Sequence, residues 1–482
     1  MAATVPATVA ELAEQLAQMK TDYDEALDTC WILICAALVF FMHAGFTMLE
    51  TGCVQLKNTQ NILCKNGLVV VIATICWYLV GYGLAYGEPN TEGGSFCGTS
   101  HFAGGGFLEE QANGVNRWRD WFFQWAFCAT CGTIVSGAMA ERTALTGFAV
   151  YVAAMTTFVY PIVVHWTWSG AGWLNNDTRT ASYKDFAGSG IVHMCGGISA
   201  LVGAAVVGPR QGRFAADVDQ DKFVPHNVPI LVLGTFILFF GWFGFNPGSS
   251  LAMKSQADAF SASMVAMNTT AGGAMGGLVV YLLEFVLTKK HSVGALCNGI
   301  LAGLVGITAA CGSVEPGEAF VIGGVGGLFY LAGSALARAI KVDDPIEAFA
   351  VHGCAGFWGV LAVGLFGSEE VGGNGIFHGG ENSGAQLGVQ LLGALMITLW
   401  SGGFAALFFV PLKAAGLLRV SEEMQTMGLD EAKHSPRSAY SMGEPMTSTG
   451  KPVAPPREAP VKEVAVEVAV VVSTEADDGH ES

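Results

Sequence analysis

Long apolar runs constrain the fold of this chain more than any other feature. A helix needs about 20 consecutive, mostly apolar residues to cross the hydrocarbon core of a bilayer. Of the 482 residues, 52% are hydrophobic and 13% are charged, whereas a soluble domain carries about 25% charged residues. The sequence therefore predicts an all-α polytopic membrane protein with eleven transmembrane helices. The runs lie at residues 30–55, 65–87, 117–139, 144–168, 187–208, 227–252, 259–287, 293–312, 318–340, 347–367 and 385–417.

The distribution of basic residues predicts the orientation of these spans. An odd number of spans puts the termini on opposite sides, and Lys and Arg are enriched in cytosolic loops. One set of alternate loops contains more Lys and Arg than the other, which predicts an extracellular N-terminus and a cytosolic C-terminus. The predicted cytosolic loops contain Lys57, Lys65, Arg142, Arg210, Arg213, Lys222, Lys289, Lys290, Arg338 and Lys341, and the opposite loops contain Arg117, Arg119, Arg179, Lys184 and Lys254.

Three regions follow from the composition along the chain. Residues 1–29 are polar and form a predicted extracellular segment with a short amphipathic helix, and residues 30–418 form the membrane domain. Residues 419–482 form a predicted cytosolic tail, largely disordered after residue 435, where Pro, Ser and charged residues replace the apolar pattern. No basic stripe of the kind that binds nucleic acid is present.

Two stretches within the apolar region share one pattern. In each, an aspartate stands eight positions before a histidine, and Cys and Gly follow at +2 and +4. Asp185 and His193 open the fifth span, and Asp344 and His352 open the tenth. Because five spans separate the copies, they enter the membrane from opposite sides. This indicates an inverted five-plus-five repeat plus a final helix, with the functional site near the midplane.

The paired histidines point to proton handling. A single histidine in an apolar span is most often a packing residue, but ionisable groups in membrane spans are costly and usually functional. His193 and His352 occupy equivalent positions of the repeat, so we expect the imidazoles to face each other. A metal site is disfavoured because no further ligand stands at suitable spacing. A proton relay fits better, since neutral imidazole both donates and accepts hydrogen bonds.

Aromatic residues accompany the histidines. Most of them are explained by packing and by the enrichment of Trp at membrane interfaces. Trp168 lies at the outer end of the fourth span and Ser249 at the outer end of the sixth. Together they offer an aromatic face and a hydroxyl acceptor, and an aromatic face attracts a small cation by about 0.5–2 kcal/mol.

With these residues in place, the chain resembles an ammonium transporter of the Amt/Mep/Rh superfamily, and in particular its plant- and alga-type Amt branch. The resemblance covers roughly residues 30–435. It is carried by Asp185 to His193 and on to Gly208-x-Arg210, by Phe46 to Gly52, Ala140 to Arg142, Gly241 to Asn246, and Asp343 to Pro345.

The resemblance implies roles for particular residues. Trp168 and Ser249, with Phe127 beneath them, correspond to an outer ammonium-recruitment site, and Asp185 to an aspartate that orients it. Thr308 corresponds to a lesser residue of the pore mouth. Phe127 and Phe245, together with Phe123, correspond to a phenyl gate, and His193 and His352 to a pair of pore histidines. The family also implies a homotrimer in the plasma membrane with one pore per subunit, and neither a cofactor nor an enzymatic activity.

We therefore expect electrogenic ammonium uptake: NH4+ is recruited and deprotonated, NH3 crosses, and the histidines carry the proton. Methylammonium would serve as a substrate analogue. Two alternatives remain, an electroneutral NH3 or CO2 channel and an ammonium sensor. Ala432 stands where plant relatives have a phosphorylated threonine, so control by phosphorylation is not expected at that position; Ser435, Ser438 and Thr447 are the alternative sites. A disulfide between Cys30 and Cys97 is an option if both face outside.

Overall fold

The computed structural model describes residues 8–89, 95–175 and 180–440. Over these residues the chain is helical, and two isolated bridges are its only β-type pairings. A helix stands at each of the eleven predicted runs. They are α1 Val9–Cys53, α2 Leu56–Tyr86, α3 Arg117–Ala138, α4 Leu145–Thr167, α5 Ser189–Val207, α6 Val228–Phe245, α7 Gln256–Thr288, α8 Val293–Thr308, α9 Pro316–Ala339, α10 Phe349–Phe366 and α11 Ser383–Ala414.

The predicted fold class is confirmed. Within the described ranges, nine helices are long and apolar enough to cross a membrane. The other two are α8, which is apolar but has only 16 residues, and α3, whose 22 residues begin with charged side chains.

Several details of the prediction are wrong. The short N-terminal amphipathic helix is not a separate element, because α1 runs without a break from Val9 to Cys53; the boundary at residue 29 between the extracellular segment and the membrane domain stays a prediction. Lys65 is not a loop cation: it lies inside α2 and is 0% exposed. Cys30 and Cys97 are both free thiols, Cys30 on an exposed face of α1 and Cys97 in the connection between α2 and α3.

Helices α5 and α10 cross at two glycines that occupy equivalent positions of the repeat. A Cβ atom on Gly197 would lie 2.1 Å from the backbone nitrogen of Gly353, and one on Gly356 would lie 3.0 Å from that of Met194. Each glycine stands four residues after a repeated histidine and meets the residue that follows the other histidine. A two-fold relation between the halves requires this reciprocal contact. Only glycine allows the two backbones to approach so closely.

The two repeated aspartates begin these helices in the same way. The carboxylate of Asp185 accepts hydrogen bonds from four backbone N–H groups, including that of Gly190 at 2.8 Å. Asp344 accepts from the equivalent N–H, that of Phe349, also at 2.8 Å. Each helix then starts with a π-helical turn that contains the histidine, and such turns are frequent at functional sites.

An ion-pair network joins the loops at one end of the bundle. Side-chain N–H groups of Arg210 donate to both carboxylate oxygens of Asp343, over 2.8 and 2.9 Å, and to Glu141 over 3.1 Å. Arg142 donates to the carbonyl of Asp343. Burial alone would raise the pKa of Asp343, but the hydrogen bonds and charge of Arg210 outweigh burial and lower it to about 2. The network ties the loops after α3 and α5 to the one before α10.

The start of the predicted tail belongs to the same compact unit as the helices, which extends to Ala439. Asp430 is buried, and its carboxylate accepts from the backbone N–H groups of Gln60 and Asn61 at 2.9 and 3.0 Å. Lys57 donates to the carbonyl of Gln425 at 2.7 Å. Most of the segment predicted to be disordered, residues 441–482, lies outside the described residues.

Candidate functional site: a buried histidine pair beside stacked rings

The two repeated histidines meet where α5 and α10 cross. The Nδ1 atoms of His193 and His352 are 3.2 Å apart, which is a hydrogen-bond distance. The rings are nearly parallel, with centroids 5.2 Å apart and an angle of 16°. One nitrogen must donate and the other accept, so this contact holds a single proton. Both residues are buried, at 0% and 4% exposure.

Three aromatic rings lie on the side of His193. Trp242 stacks on the imidazole at 5.2 Å between centroids, and Phe245 lies at 5.3 Å. Phe245 in turn stacks on Phe127 at 4.2 Å. Both phenyl side chains are 0% exposed, so together they separate His193 from the residues beyond them.

Trp168 and Ser249 lie on the far side of this phenyl pair. The rings of Trp168 and Phe127 are nearly perpendicular, with centroids 5.8 Å apart, and Ser249 donates to the carbonyl of Phe245 at 2.8 Å. Both are partly exposed. The indole N–H of Trp168 donates to the backbone carbonyl of Asp185 at 2.8 Å, so the aspartate that begins α5 also fixes the tryptophan.

The remaining two predicted site residues support this arrangement from the side. Phe123 is buried with its ring centroid 4.8 Å from that of Phe127. Thr308 accepts a 2.9 Å hydrogen bond from the indole of Trp242 and donates to the carbonyl of Leu304. Thr308 is 0% exposed and its contact orients Trp242; its assignment to the pore mouth stays a prediction.

Two further charged residues, Glu50 and Lys65, are buried among the helices, and the sequence predicted no site role for them. Glu50 is 0% exposed; Ser136 donates to both of its carboxylate oxygens at 2.7 and 2.6 Å, and Asn66 donates at 3.1 Å. The ammonium group of Lys65 has no hydrogen-bond partner in the described structure and lies 5.4 Å from the centre of the Phe148 ring. The sequence signal was present: both charges stand inside, or at the edge of, apolar runs.

Helix α1 leads from the histidines to an open cavity. The ring of Phe46 lies 6.0 Å from His352 between centroids, and two helical turns later Cys53 lines a cavity of about 440 Å³. Asp344 and Glu347 line it as well. Apolar and aromatic residues thus enclose the histidine pair between Trp168 at one end and this polar cavity at the other.

The fold and the site define a polytopic membrane protein whose buried imidazole pair lies at the crossing of two repeated helices. Residues 30–440 match the model of the Ammonium Transporter Family. The chain is 37% identical over 423 residues to "Ammonium transporter 3" of Dictyostelium discoideum, with 86% of this chain and 94% of that protein covered. It is 36% identical over 434 residues to "Ammonium transporter 1 member 3" of Solanum lycopersicum, with 85% and 92% covered.

A solved structure titled "Sensor Amt Protein" superposes with a TM-score of 0.78 at 34% identity, covering 86% of this chain and 99% of that one. The chain belongs to the ammonium transporter family, as its sequence predicted, and this is a family of transporters rather than of enzymes. The relatives from slime mould and tomato are about equally similar to it, so its assignment to the plant- and alga-type branch stays a prediction.

Proposed function

We propose that the protein takes up ammonium electrogenically, with NH3 and the proton crossing separately. NH4+ binds between the indole of Trp168 and the hydroxyl of Ser249, loses its proton at the phenyl pair, and crosses as NH3. His193 and His352 carry the proton to the opposite side, where NH3 is reprotonated. Family membership makes ammonium or ammonia the substrate; the division into two species is the proposal.

The energetics of desolvation favour this division. An isolated cation in an apolar medium costs many kcal/mol, while a cation–π contact returns only about 0.5–2 kcal/mol. The phenyl pair, stacked at 4.2 Å, leaves no room for a hydrated ion. Neutral NH3 avoids most of the desolvation cost, and Na+ or K+ cannot shed its charge, so the same step provides selectivity.

The contact between the two imidazoles is the observation that carries the proposal. At 3.2 Å between Nδ1 atoms, an imidazole that takes up a proton at its Nε2 can pass its Nδ1 proton to Nδ1 of the other residue, which then releases a proton from its own Nε2. The Nε2 atom of His193 is buried and has no hydrogen-bond partner in the described structure. A buried, unsatisfied ring nitrogen offers a hydrogen bond to NH3 or to a water molecule in the lumen.

Replacing His193 by alanine tests the relay. We expect His193→Ala to reduce ammonium-induced current in oocytes at least tenfold, with methylammonium uptake recorded in the same cells. His291→Ala, in the connection between α7 and α8, is the matched control and should leave the current unchanged. Undiminished current with unchanged ion selectivity in His193→Ala would contradict the relay.

The same recordings distinguish electroneutral gas conduction. If uptake by the unaltered protein proceeds without current at any ammonium concentration, NH3 alone crosses. One net charge for each substrate molecule supports the proposal.

A sensory function is the second candidate because one similar solved structure is titled as a sensor. The chain would then report ammonium to a partner whether or not it transports. Signalling that persists in a variant without uptake would favour this function, and its loss together with uptake would favour transport alone.

The assembly and location are also proposals. We propose a homotrimer in the plasma membrane, with one pore per subunit, residues 1–29 outside and residues 419–482 in the cytosol. The many exposed large apolar side chains on α2, α6, α7 and α11 suit contact with lipid or with other subunits.

A further inference from the structure

Helix α1 is much longer than a membrane span. Its 45 residues correspond to about 68 Å, whereas the hydrocarbon core is about 30 Å thick. The helix begins at a defined cap: Thr8 and Glu11 exchange side-chain and backbone hydrogen bonds at 3.3 and 3.0 Å. About 20 residues therefore extend beyond the span as continuous helix.

The hydrogen bonds that fix this extension to the rest of the domain lie at its base. Arg119 donates to Glu25 at 3.0 Å and Asn116 donates to Thr29 at 3.3 Å. Asp28 accepts from the backbone of Met253 at 2.7 Å. Closer to the N-terminus the extension stands exposed to solvent, where a lone helix of this length is only marginally stable.

One face of the extension carries an exposed apolar stripe with coiled-coil spacing. Val9, Leu12, Leu16, Met19 and Tyr23 recur at alternating intervals of three and four residues, which are the a and d positions of a heptad. They are 86%, 47%, 57%, 51% and 65% exposed. A stripe of this spacing matches the knobs-into-holes packing of a second helix with the same repeat.

The same register continues into the span itself. The next a and d positions are Ala26, Cys30, Leu33, Ala37 and Phe40, and all five are exposed. Three of them are small, which lets helix backbones approach closely in lipid. The stripe of the extension and the exposed face of the span thus form one continuous seam, defined here as the α1 seam.

The α1 seam suits other copies of this chain. Copies inserted in the same orientation project α1 in the same direction, so their extensions are parallel and in register. The acidic residues Glu11, Glu14, Asp24, Glu25 and Asp28 occupy b, c and f positions, off the seam. All but Asp28 are at least partly exposed, and Asp28 is buried in its contacts with Met253 and Lys254. The seam itself is uncharged, and its flanking e and g positions carry one base and one acid between Ala13 and Leu27, so the acidic extensions do not repel one another along it.

We propose that residues 9–30 form a parallel coiled coil with the same segment of other copies, and that this coiled coil stabilises the oligomer outside the membrane domain. This does not depend on the transport mechanism. Because the segment lies apart from the histidines, substitutions in it should leave methylammonium uptake intact, and uptake reports that each variant is folded.

Cysteine cross-linking in membranes tests the register. In a Cys30→Ser background, Leu16→Cys places a thiol at an a position, and the matched control Gln18→Cys places one at a c position two residues away. We expect oxidation to link Leu16→Cys copies at least fivefold more than Gln18→Cys copies. Equal yields, or a link from position 16 to a protein of different mass, would overturn the proposal.

Charge substitution tests the contribution to assembly. Leu16→Asp with Met19→Asp should lower the temperature at which the purified oligomer dissociates in mild detergent. Ala17→Asp with Gln18→Asp adds the same charge off the seam and should lower it much less. Equal dissociation temperatures for the two variants would refute the coiled coil while leaving an oligomer held by the membrane domain intact.

Discussion

At the residue scale, Trp168 is the side chain that the proposed mechanism asks to attract the cation. Its ring lies beside Phe127 and its N–H is held by the carbonyl of Asp185, so the indole face is fixed without its own N–H being available to substrate. The attraction therefore rests on the ring, and removing the ring should weaken recruitment without blocking the pore.

We accordingly expect Trp168→Leu to raise the ammonium concentration for half-maximal current by about 2- to 30-fold, the equivalent of about 0.5–2 kcal/mol of cation–π attraction. Trp118→Leu, at an exposed position near the start of α3, is the matched control. An unaltered concentration curve for Trp168→Leu would count against recruitment at this ring.

Glu50 carries the second prediction at this scale. Glu50→Leu leaves the buried hydroxyl of Ser136 without its acceptor and removes one of the two acceptors of the Asn66 amide group, at about 1–3 kcal/mol for each unpaired group. We expect a clear drop in the thermal unfolding midpoint of the purified protein. Glu50→Gln keeps an acceptor and should lower the unfolding midpoint less. The control is the exposed Glu109→Leu; a midpoint for Glu50→Leu equal to that control would contradict this assignment.

Some residues of the site could be predicted from the sequence and others could not. The histidine pair was predictable because the chain contains the pattern twice, and duplication at a five-span interval implies that the copies face each other. The role of Trp242 could not be predicted, since its stacking on His193 depends on how α6 packs against α5. Lys65 was placed in a loop because a charge at the edge of an apolar run is normally assigned to its end.

At the element scale, the loop network around Asp343 gives the fold a pH dependence. The pKa of Asp343 is lowered from an ordinary 3.8 to about 2. A carboxyl with a depressed pKa contributes stability that is present above its unfolded value and is lost as the pH falls through its folded value. The contribution of about 2 kcal/mol is therefore complete above about pH 4 and disappears toward pH 2.

Asp343→Asn should reveal this dependence. We expect the variant to be less stable than the unaltered protein at pH 7 and the gap to narrow between pH 4 and pH 2, as measured by thermal unfolding in detergent across that range. Asp217→Asn, at an exposed position of the α5–α6 connection, should show no such narrowing. A gap that is independent of pH would mean that the charge of Asp343 does not stabilise the network.

At the scale of the whole molecule, the helices were predictable because nine of the eleven in the described part of the chain are long and apolar enough to span a membrane. The continuity of α1 was also readable, since neither Gly nor Pro stands between residues 9 and 44. The packing of residues 419–433 against the helices could not be predicted from the sequence. Asp430 binds the start of α2 from 370 positions away along the chain, and a polar segment after the last span gives no local signal that it packs.

The orientation in the membrane is the prediction that involves the entire chain. Without Lys65, the predicted cytosolic loops still contain more Lys and Arg than the opposite loops. The structure adds Arg419 to this set: it donates to the carbonyl of Val207, at the end of the bundle that holds the Arg210–Asp343 network. That end should therefore face the cytosol. In a Cys30→Ser background, a membrane-impermeant maleimide should label Glu109→Cys on intact cells and Lys290→Cys only after permeabilisation. The reverse pattern would place the Arg210–Asp343 network outside and invert the proposed direction of uptake through the site.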